Sequence, residues 1–186
     1  MGIRQKSRVA PTSSPGEEIA RDRRTSAARI RISAEGAPAG IQRLALRKLA
    51  RFFLERAGLK NVLEELSVVL TGDAAIARIN EQYLSHSGPT DVITFRLEPP
   101  PGAGRPVGEI YLNAELALRE ANRRNISPNR ELAWYLAHGI HHLTGADDET
   151  PAARTRMHRV EQLWIHAASR VGLVSPIWNR KGNHEF

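Results

Sequence analysis

The chain has no cysteine, few aromatic residues and no long apolar run, and each shortage excludes a class of protein. Without cysteine there can be no disulfide framework, thiolate nucleophile or cysteine-ligated metal or iron–sulfur site. No apolar run approaches the roughly 18 residues that a membrane span needs, and the N-terminus lacks the apolar segment of a secretory signal. We therefore expect a cytoplasmic protein with no membrane partner.

The residues that are present describe one basic domain with terminal extensions. The chain has 186 residues, of which 41% are apolar, and this is enough for a sizeable core. The net charge of +7 is uneven, since residues 1–58 carry +8 and residues 59–186 carry −1. Such an excess indicates a polyanionic partner, most simply nucleic acid, although a solubilising tail would have the same composition.

The patterns along the chain predict an α+β fold in a single domain. Residues 1–27 are rich in Arg, Ser, Thr and Pro and are interpreted as a disordered basic arm, whereas residues 173–186 lack any period and should form a flexible tail. Residues 28–172 should form one mixed sheet of about four strands with helices packed on it and a metal-binding helix lining a cleft. Strands are predicted near 28–34, 66–70, 91–97 and 107–112, and helices near 38–52, 74–83, 114–124, 128–143 and 151–171.

The first predicted helix carries a row of arginines. Arg43, Arg47 and Arg51 lie four residues apart, so they share one face of the helix. The row could follow a phosphate backbone, or it could simply be a solvated face. The opposite, apolar face is predicted to contain Ile41, Ala45, Leu49 and Phe52.

The helix near residues 128–143 contains the most informative pattern, a spaced pair of histidines. At roughly 100° per residue, His138 and His142 lie about 40° apart, so both rings can aim at one point. His141 should point towards solvent, on the side of Trp134. The buried stripe is predicted to contain Leu132, Leu136, Ile140 and Leu143.

A metal ion would need a third ligand, and the residues after the helix can supply one. Gly145 can end the helix and turn the chain back, which brings Asp147 and Asp148 within reach. Two histidines and a carboxylate suit Zn²⁺ and leave a fourth position open for water, as hydrolysis requires. The alternative is a pair of partly exposed helical histidines capped by an aspartate.

These residues, with several others in order, resemble the YbeY family of bacterial rRNA maturation factors, which are metal-dependent endoribonucleases. The family signature His-Gly-x-x-His-x-x-Gly-x-Asp-His matches His138, Gly139, His142, Gly145 and Asp147. The resemblance covers about residues 28–172. Its other landmarks are Asn80 with Tyr83, Pro89–Phe95, Gly108–Ile110, and Met157 with Glu161.

Two positions depart from the family pattern. Asp148 stands where the family has its third histidine, and Leu84 stands where the family has an arginine. Asp148 can serve as a ligand but adds negative charge. Leu84 removes a cation that would hold the scissile phosphate, and His86 offers a weaker substitute.

The resemblance implies an endoribonuclease that hydrolyses single-stranded ribosomal RNA or its precursors, with a role in rRNA maturation and ribosome quality control. One Zn²⁺, bound by His138, His142 and Asp148, would activate water, and Asp147 would orient a ligand histidine or the loop. Arg43, Arg47, Arg51, His86 and the basic arm would bind RNA, and the small ribosomal subunit is a possible partner.

Other interpretations of these motifs stay open. The chain could be a ribosome- or RNA-binding assembly factor with little nuclease activity, or a zinc hydrolase of another substrate such as a peptide. Gly139 stands where a metalloprotease helix has glutamate, which disfavours ordinary proteolysis. Thr90 and Asp91 could border the site or only begin a strand.

Overall fold

The structure, a computed structural model, describes residues 26–178, so most of the predicted basic arm and residues 179–186 lie outside it. Within this range no helix has the length and apolar character needed to cross a membrane. The elements in chain order are β1 Arg29–Glu35, α1 Arg43–Arg56, β2 Glu65–Thr71, α2 Asp73–Ile79, a π-helical turn Asn80–Leu84, β3 Val92–Leu97, β4 Val107–Asn113, α3 Ala114–Arg124, α4 Pro128–His142 and α5 Pro151–Arg170.

The four strands form one mixed sheet in the order β1-β2-β4-β3, which confirms the predicted α+β architecture. β1, β2 and β4 are parallel, with Ile32 opposite Val68 and Val68 opposite Ile110. β3 runs antiparallel to β4, with Thr94 opposite Ile110. Because β4 lies between β2 and β3, the connection from β2 to β3 passes over β4 through α2 and the π-helical turn.

Alternation along the strands gives the sheet one buried face. Ile32, Val68, Leu70, Ile110 and Leu112 are all buried and contribute to the main hydrophobic core. α1 packs over β1, and α4 packs over β3 and β4. The predicted stripe of α4 is confirmed, since Leu132, Leu136, Ile140 and Leu143 are fully buried.

α4 lies very close to the sheet at Gly139. A Cβ atom built there would stand 2.9 Å from Ile110 Cγ2, 3.0 Å from Thr94 Oγ1 and 3.1 Å from Val92 Cγ2. Glycine is therefore required by the close approach of helix and sheet. The same contact explains why this helix has no glutamate at position 139, because a longer side chain has no space there.

Two predicted boundaries are wrong for the same reason. α1 begins at Arg43 rather than near Pro38, because the preceding residues pair with residues 177–178: Gln42 N donates to Ile177 O at 2.7 Å, and Ile41 forms a β-bridge with Trp178. Residues 173–178 were predicted to be a flexible tail. They are instead packed, with Val174, Ile177 and Trp178 buried, and the Trp178 indole donates to Ala39 O at 3.1 Å.

The loop that leads into β3 is held by two buried asparagines. Asn80 Nδ2 donates to Gly88 O at 2.9 Å. Asn113 Nδ2 donates to Thr90 O at 3.0 Å, and Asn113 N donates to Asp91 O at 2.9 Å. The segment that carries Asp91 is therefore fixed against the carboxyl end of β4 and the start of α3.

Candidate metal centre

α4 ends in a turn that brings the chain back over its own last histidine. Gly145 has a φ of +88°, a left-handed conformation that favours glycine. Its N–H donates to His142 O at 2.9 Å, and Arg96 donates to the carbonyl of Leu143 at 2.7 Å. The turn places the Ala146 carbonyl 2.9 Å from His142 Nδ1.

The rings of His138 and His142 face each other through their Nε2 atoms, which are 3.1 Å apart. His138 Nδ1 lies 2.9 Å from a carboxylate oxygen of Glu161, and His142 Nδ1 faces the Ala146 carbonyl. Both of these partners can only accept, so each Nδ1 atom carries a proton and each ring turns its Nε2 atom towards the other ring. A cation between the two rings could be bound by both Nε2 atoms.

Asp148 completes a group of three possible ligands. Its two carboxylate oxygens each lie 3.9 Å from one of the two Nε2 atoms. All three ligand atoms lie within 4.8 Å of one another. Ligands about 2.1 Å from a tetrahedral Zn²⁺ stand about 3.4 Å apart, so the two imidazoles fit closely and the carboxylate needs a shift of only about half an ångström. Arg154 holds the loop, donating to the Asp148 carbonyl at 3.1 Å.

Glu161 on α5 is the residue that orients the cluster. Its side chain is fully buried, and Oε1 accepts from His138 Nδ1 at 2.9 Å and from His141 Nδ1 at 3.1 Å. The other oxygen, Oε2, is buried with no hydrogen-bond partner among the described residues. A carboxylate bonded to the outer nitrogen of a ligating histidine fixes its tautomer and increases its basicity as a ligand.

The pKa shifts of Glu161 and His138 agree with the orienting role of Glu161. Burial alone would raise the pKa of Glu161, but hydrogen bonds from His138 and His141 outweigh it and lower the pKa to about 2. Burial alone would lower the pKa of His138, but its hydrogen bond to Glu161 and the negative charges of Glu161, Asp91 and Asp148 together outweigh burial and raise the pKa. Glu161 is therefore ionised at neutral pH and holds a proton on His138 Nδ1, so Nε2 is the His138 nitrogen that faces His142.

The predicted position of His141 is wrong. Its side chain is only 13% exposed, its ring centroid lies 5.1 Å from that of Trp164, and Nδ1 donates to Glu161. The helical projection placed His141 on the solvent side because it did not include α5, which covers that face of α4. His141 therefore shares the orienting carboxylate of His138 and does not join the group of three possible ligands.

Asp147 is exposed, and its carboxylate accepts from the backbone N–H of Glu149 at 3.0 Å. The histidine nitrogens are oriented by Glu161 and by the Ala146 carbonyl, whereas Asp147 contacts the loop, the second of the two roles predicted for it. Glu161 was noted in the sequence only as a family landmark. An acid within the apolar stripe of α5, between Met157 and Trp164, was a signal that it has a buried partner.

The predicted RNA-binding residues are all exposed and lie on two other parts of the molecule. Arg43, Arg47 and Arg51 form the exposed face of α1, as the spacing predicts. Arg47 lines a groove beside β1, the strand at the opposite edge of the sheet from β3. His86 lies in the exposed loop after the π-helical turn, and Leu84 in that turn is 44% exposed.

Comparison with known proteins gives consistent results over the folded region. The family model described as "Endoribonuclease YbeY" matches residues 32–169. Proteins named Endoribonuclease YbeY include one from Geobacter metallireducens, 39% identical over 142 residues, which cover 74% of this chain and 92% of that protein. Another, from Anaeromyxobacter sp. (strain Fw109-5), is 38% identical over 108 residues, which cover 58% of this chain but only 56% of that protein.

A solved structure supports the fold. The solution structure of TM1509 from Thermotoga maritima aligns with a TM-score of 0.54 at 24% identity, covering 83% of this chain and 99% of that one. The family model spans the sheet, the histidine helix and the glutamate of α5 together. The chain belongs to the YbeY family.

Proposed function

We propose that this chain is a metal-dependent endoribonuclease that hydrolyses single-stranded ribosomal RNA or its precursors, with one Zn²⁺ held by His138, His142 and Asp148. The relatives' name supports the endoribonuclease activity. The observation that carries the proposal is the pair of Nε2 atoms 3.1 Å apart, with the Asp148 carboxylate 3.9 Å from each. When bound, the ion would supply Lewis acidity and activate water near neutral pH.

The chain's own residues orient this site. Glu161 fixes the tautomer of His138, and the Ala146 carbonyl does the same for His142. Gly139, pressed against the sheet, offers no general base at the position where a metalloprotease helix has glutamate. Exposed cations elsewhere, the Arg43, Arg47 and Arg51 row and His86, would bind RNA phosphates, and rRNA as substrate would place the reaction in the cytoplasm during ribosome assembly.

The test combines metal content with RNA cleavage. We expect the purified protein to retain about one zinc per chain and to cleave single-stranded RNA, and His142→Ala to lose both. His166→Ala is the matched control, because His166 is an exposed histidine on α5 outside the cluster. Equal zinc content in wild type and His142→Ala would contradict the metal site.

A second candidate function is an RNA-binding assembly factor with weak or no nuclease activity. Leu84 favours it, because an exposed apolar side chain stands where the family has an arginine. The two functions differ in one measurement. An assembly factor would bind RNA or the small ribosomal subunit with an affinity that His142→Ala does not change, and the wild type would not cleave RNA under conditions in which it holds zinc.

A further inference from the structure

A second pocket lies next to the metal centre and has walls of its own. It has a volume of about 440 Å³ and opens between the start of β3 and helices α3, α4 and α5. Its walls include none of His138, His142 and Asp148. The residues that give it chemical character are Asp91, Glu120, Arg124, Trp134, Tyr135 and His158.

The pocket is one helical turn away from the metal-binding histidines. Trp134 precedes His138 by four residues on α4, which is about 6 Å along the helix axis. On α5, His158 precedes Glu161 by three residues. Asp91, which lines the pocket, is also near enough to His138 for its negative charge to act on that ring. An RNA whose phosphodiester lies at the histidine cluster would therefore need only about one further nucleotide to reach this pocket.

One wall of the pocket is aromatic. The half-buried Trp134 ring meets the His158 ring edge to face, with centroids 5.2 Å apart and an interplanar angle of 84°. The adjacent Tyr135 is 4% exposed. An indole ring held in this way provides a flat apolar surface at the side of an open pocket, which is the usual platform for stacking a nucleobase.

The polar groups of the pocket are arranged to accept hydrogen bonds. Arg124 is neutralised by two carboxylates, since it lies 2.9 Å from the buried Glu131 and 3.2 Å from Glu120. Asp91 is fixed by hydrogen bonds to its Oδ1 from Thr90 and from Val92 N–H, which leaves Oδ2 to accept from a ligand. Arg124 is thus paired with two carboxylates, Glu120 is also held by Arg123 at 2.7 Å, and Asp91 adds a further negative charge to the lining, so the pocket presents no free cation to a phosphate.

Acidic acceptors beside a stacking ring suit a base that carries an exocyclic amino group. Adenine, cytosine and guanine each present such a donor, and carboxylates accept from it, whereas uracil has carbonyl oxygens at those positions. We propose that this pocket binds the nucleobase of the RNA nucleotide next to the scissile phosphate, with Trp134 stacking on the base and Asp91 and Glu120 accepting from its amino group. This inference rests on the proposed function, because the substrate at the metal centre is RNA.

The experiment uses NMR on the zinc-loaded full chain, titrated with AMP, CMP, GMP and UMP. These mononucleotides contain no phosphodiester, so they are not consumed, and their shared phosphate cannot produce a difference between bases. The chain has three tryptophans and hence three indole N–H signals. We expect the Trp134 signal to shift, and those of Trp164 and Trp178, which lie in the core, to stay in place.

Two variants test the assigned roles. Trp134→Leu should weaken mononucleotide binding by about 5- to 150-fold, the loss that corresponds to about 1–3 kcal/mol for a stacked base. Retention of the Trp164 and Trp178 signals shows that this variant is folded. Glu120→Gln keeps the Trp134 signal and should reduce the preference for CMP over UMP several-fold. Leu163→Ala, an exposed residue on α5 outside the pocket, should change neither.

Three results would overturn the assignment: no shift of the Trp134 signal, an equal shift with inorganic phosphate, or binding of UMP as tight as that of CMP. Failure of the proposed function is seen separately. It appears as absence of zinc-dependent RNA cleavage by the wild type, measured against His142→Ala. If the wild type cleaves RNA but no mononucleotide shifts the Trp134 signal, only the base-binding role of the pocket is refuted.

Discussion

Replacement of Glu161 by glutamine should weaken zinc binding without removing a ligand. Glu161 is fully buried and its Oε1 serves two histidine donors, 2.9 Å from His138 Nδ1 and 3.1 Å from His141 Nδ1. The amide of Glu161→Gln has nearly the same shape and retains one oxygen. It has no charge, however, and its NH₂ end cannot accept a hydrogen bond from either ring.

The expected size of the effect follows from what the carboxylate does for His138. Loss of a partner that orients a metal ligand typically costs 10- to 100-fold in metal affinity, or about 1.4–2.7 kcal/mol. A charge-assisted hydrogen bond is also roughly twice as strong as a neutral one, and here no solvent reaches Glu161 to compensate. We therefore expect Glu161→Gln to bind zinc 10- to 100-fold more weakly than the wild type.

Competition with a chromogenic zinc chelator at fixed pH measures this difference directly. The matched control is Glu131→Gln, since Glu131 is also a buried glutamate, 2% exposed, but its partner is Arg124 rather than a histidine. Glu131→Gln should leave zinc affinity within about twofold of the wild type, less than the smallest effect expected of an orienting partner. If Glu161→Gln bound zinc as tightly as the wild type, the orienting role would be refuted.

Three further changes test the packing and the departure from the family. Gly139→Val should lower the free energy of unfolding by about 1–3 kcal/mol, seen as a fall in Tm, because its side chain meets the sheet within 3.1 Å; an unchanged Tm would contradict the close approach. Trp178→Ala should cost about 3–5 kcal/mol in urea unfolding, since Trp178 is 7% exposed; a loss as small as that of the exposed Leu163→Ala would show that the segment is not packed. Leu84→Arg should raise kcat/KM for RNA cleavage about tenfold or more, whereas the neutral Leu84→Gln should not, and equal rates would exclude a role for a cation there.

The local patterns predicted most of the fold. The strands were predicted close to their observed bounds, and α4 and α5 begin at the predicted residues, where the side chains of Ser127 and Thr150 each accept from a backbone N–H. These signals work because they depend on neighbouring residues. The start of α1 and the packing of residues 173–178 could not be predicted, because they depend on contacts between distant parts of the chain, such as that of Gln42 N–H with Ile177 O.

The candidate metal centre, like the fold, could be predicted from local patterns only in part. The spacing of His138 and His142 on one helix was sufficient to predict that their rings converge, and Gly145 to predict the turn. The partner of His138 lies 23 residues away on α5, and no local pattern connects the two. The solvent position predicted for His141 was wrong for this reason, since only the packed structure shows which helix covers that face.

The candidate metal centre is acidic, whereas the residues expected to bind RNA are basic and lie elsewhere in the chain. Asp148 and Glu161 bring two negative charges to the two histidines, and Asp91 acts on His138 as well. The excess positive charge of the chain lies instead in residues 1–58, at +8. Attraction of an RNA backbone must therefore come mainly from that basic portion, and RNA affinity should fall with salt while zinc binding by the cluster does not follow the same dependence. Because RNA binding and metal binding depend on different residues, loss of catalysis through Leu84 would leave an RNA-binding protein with an intact metal site.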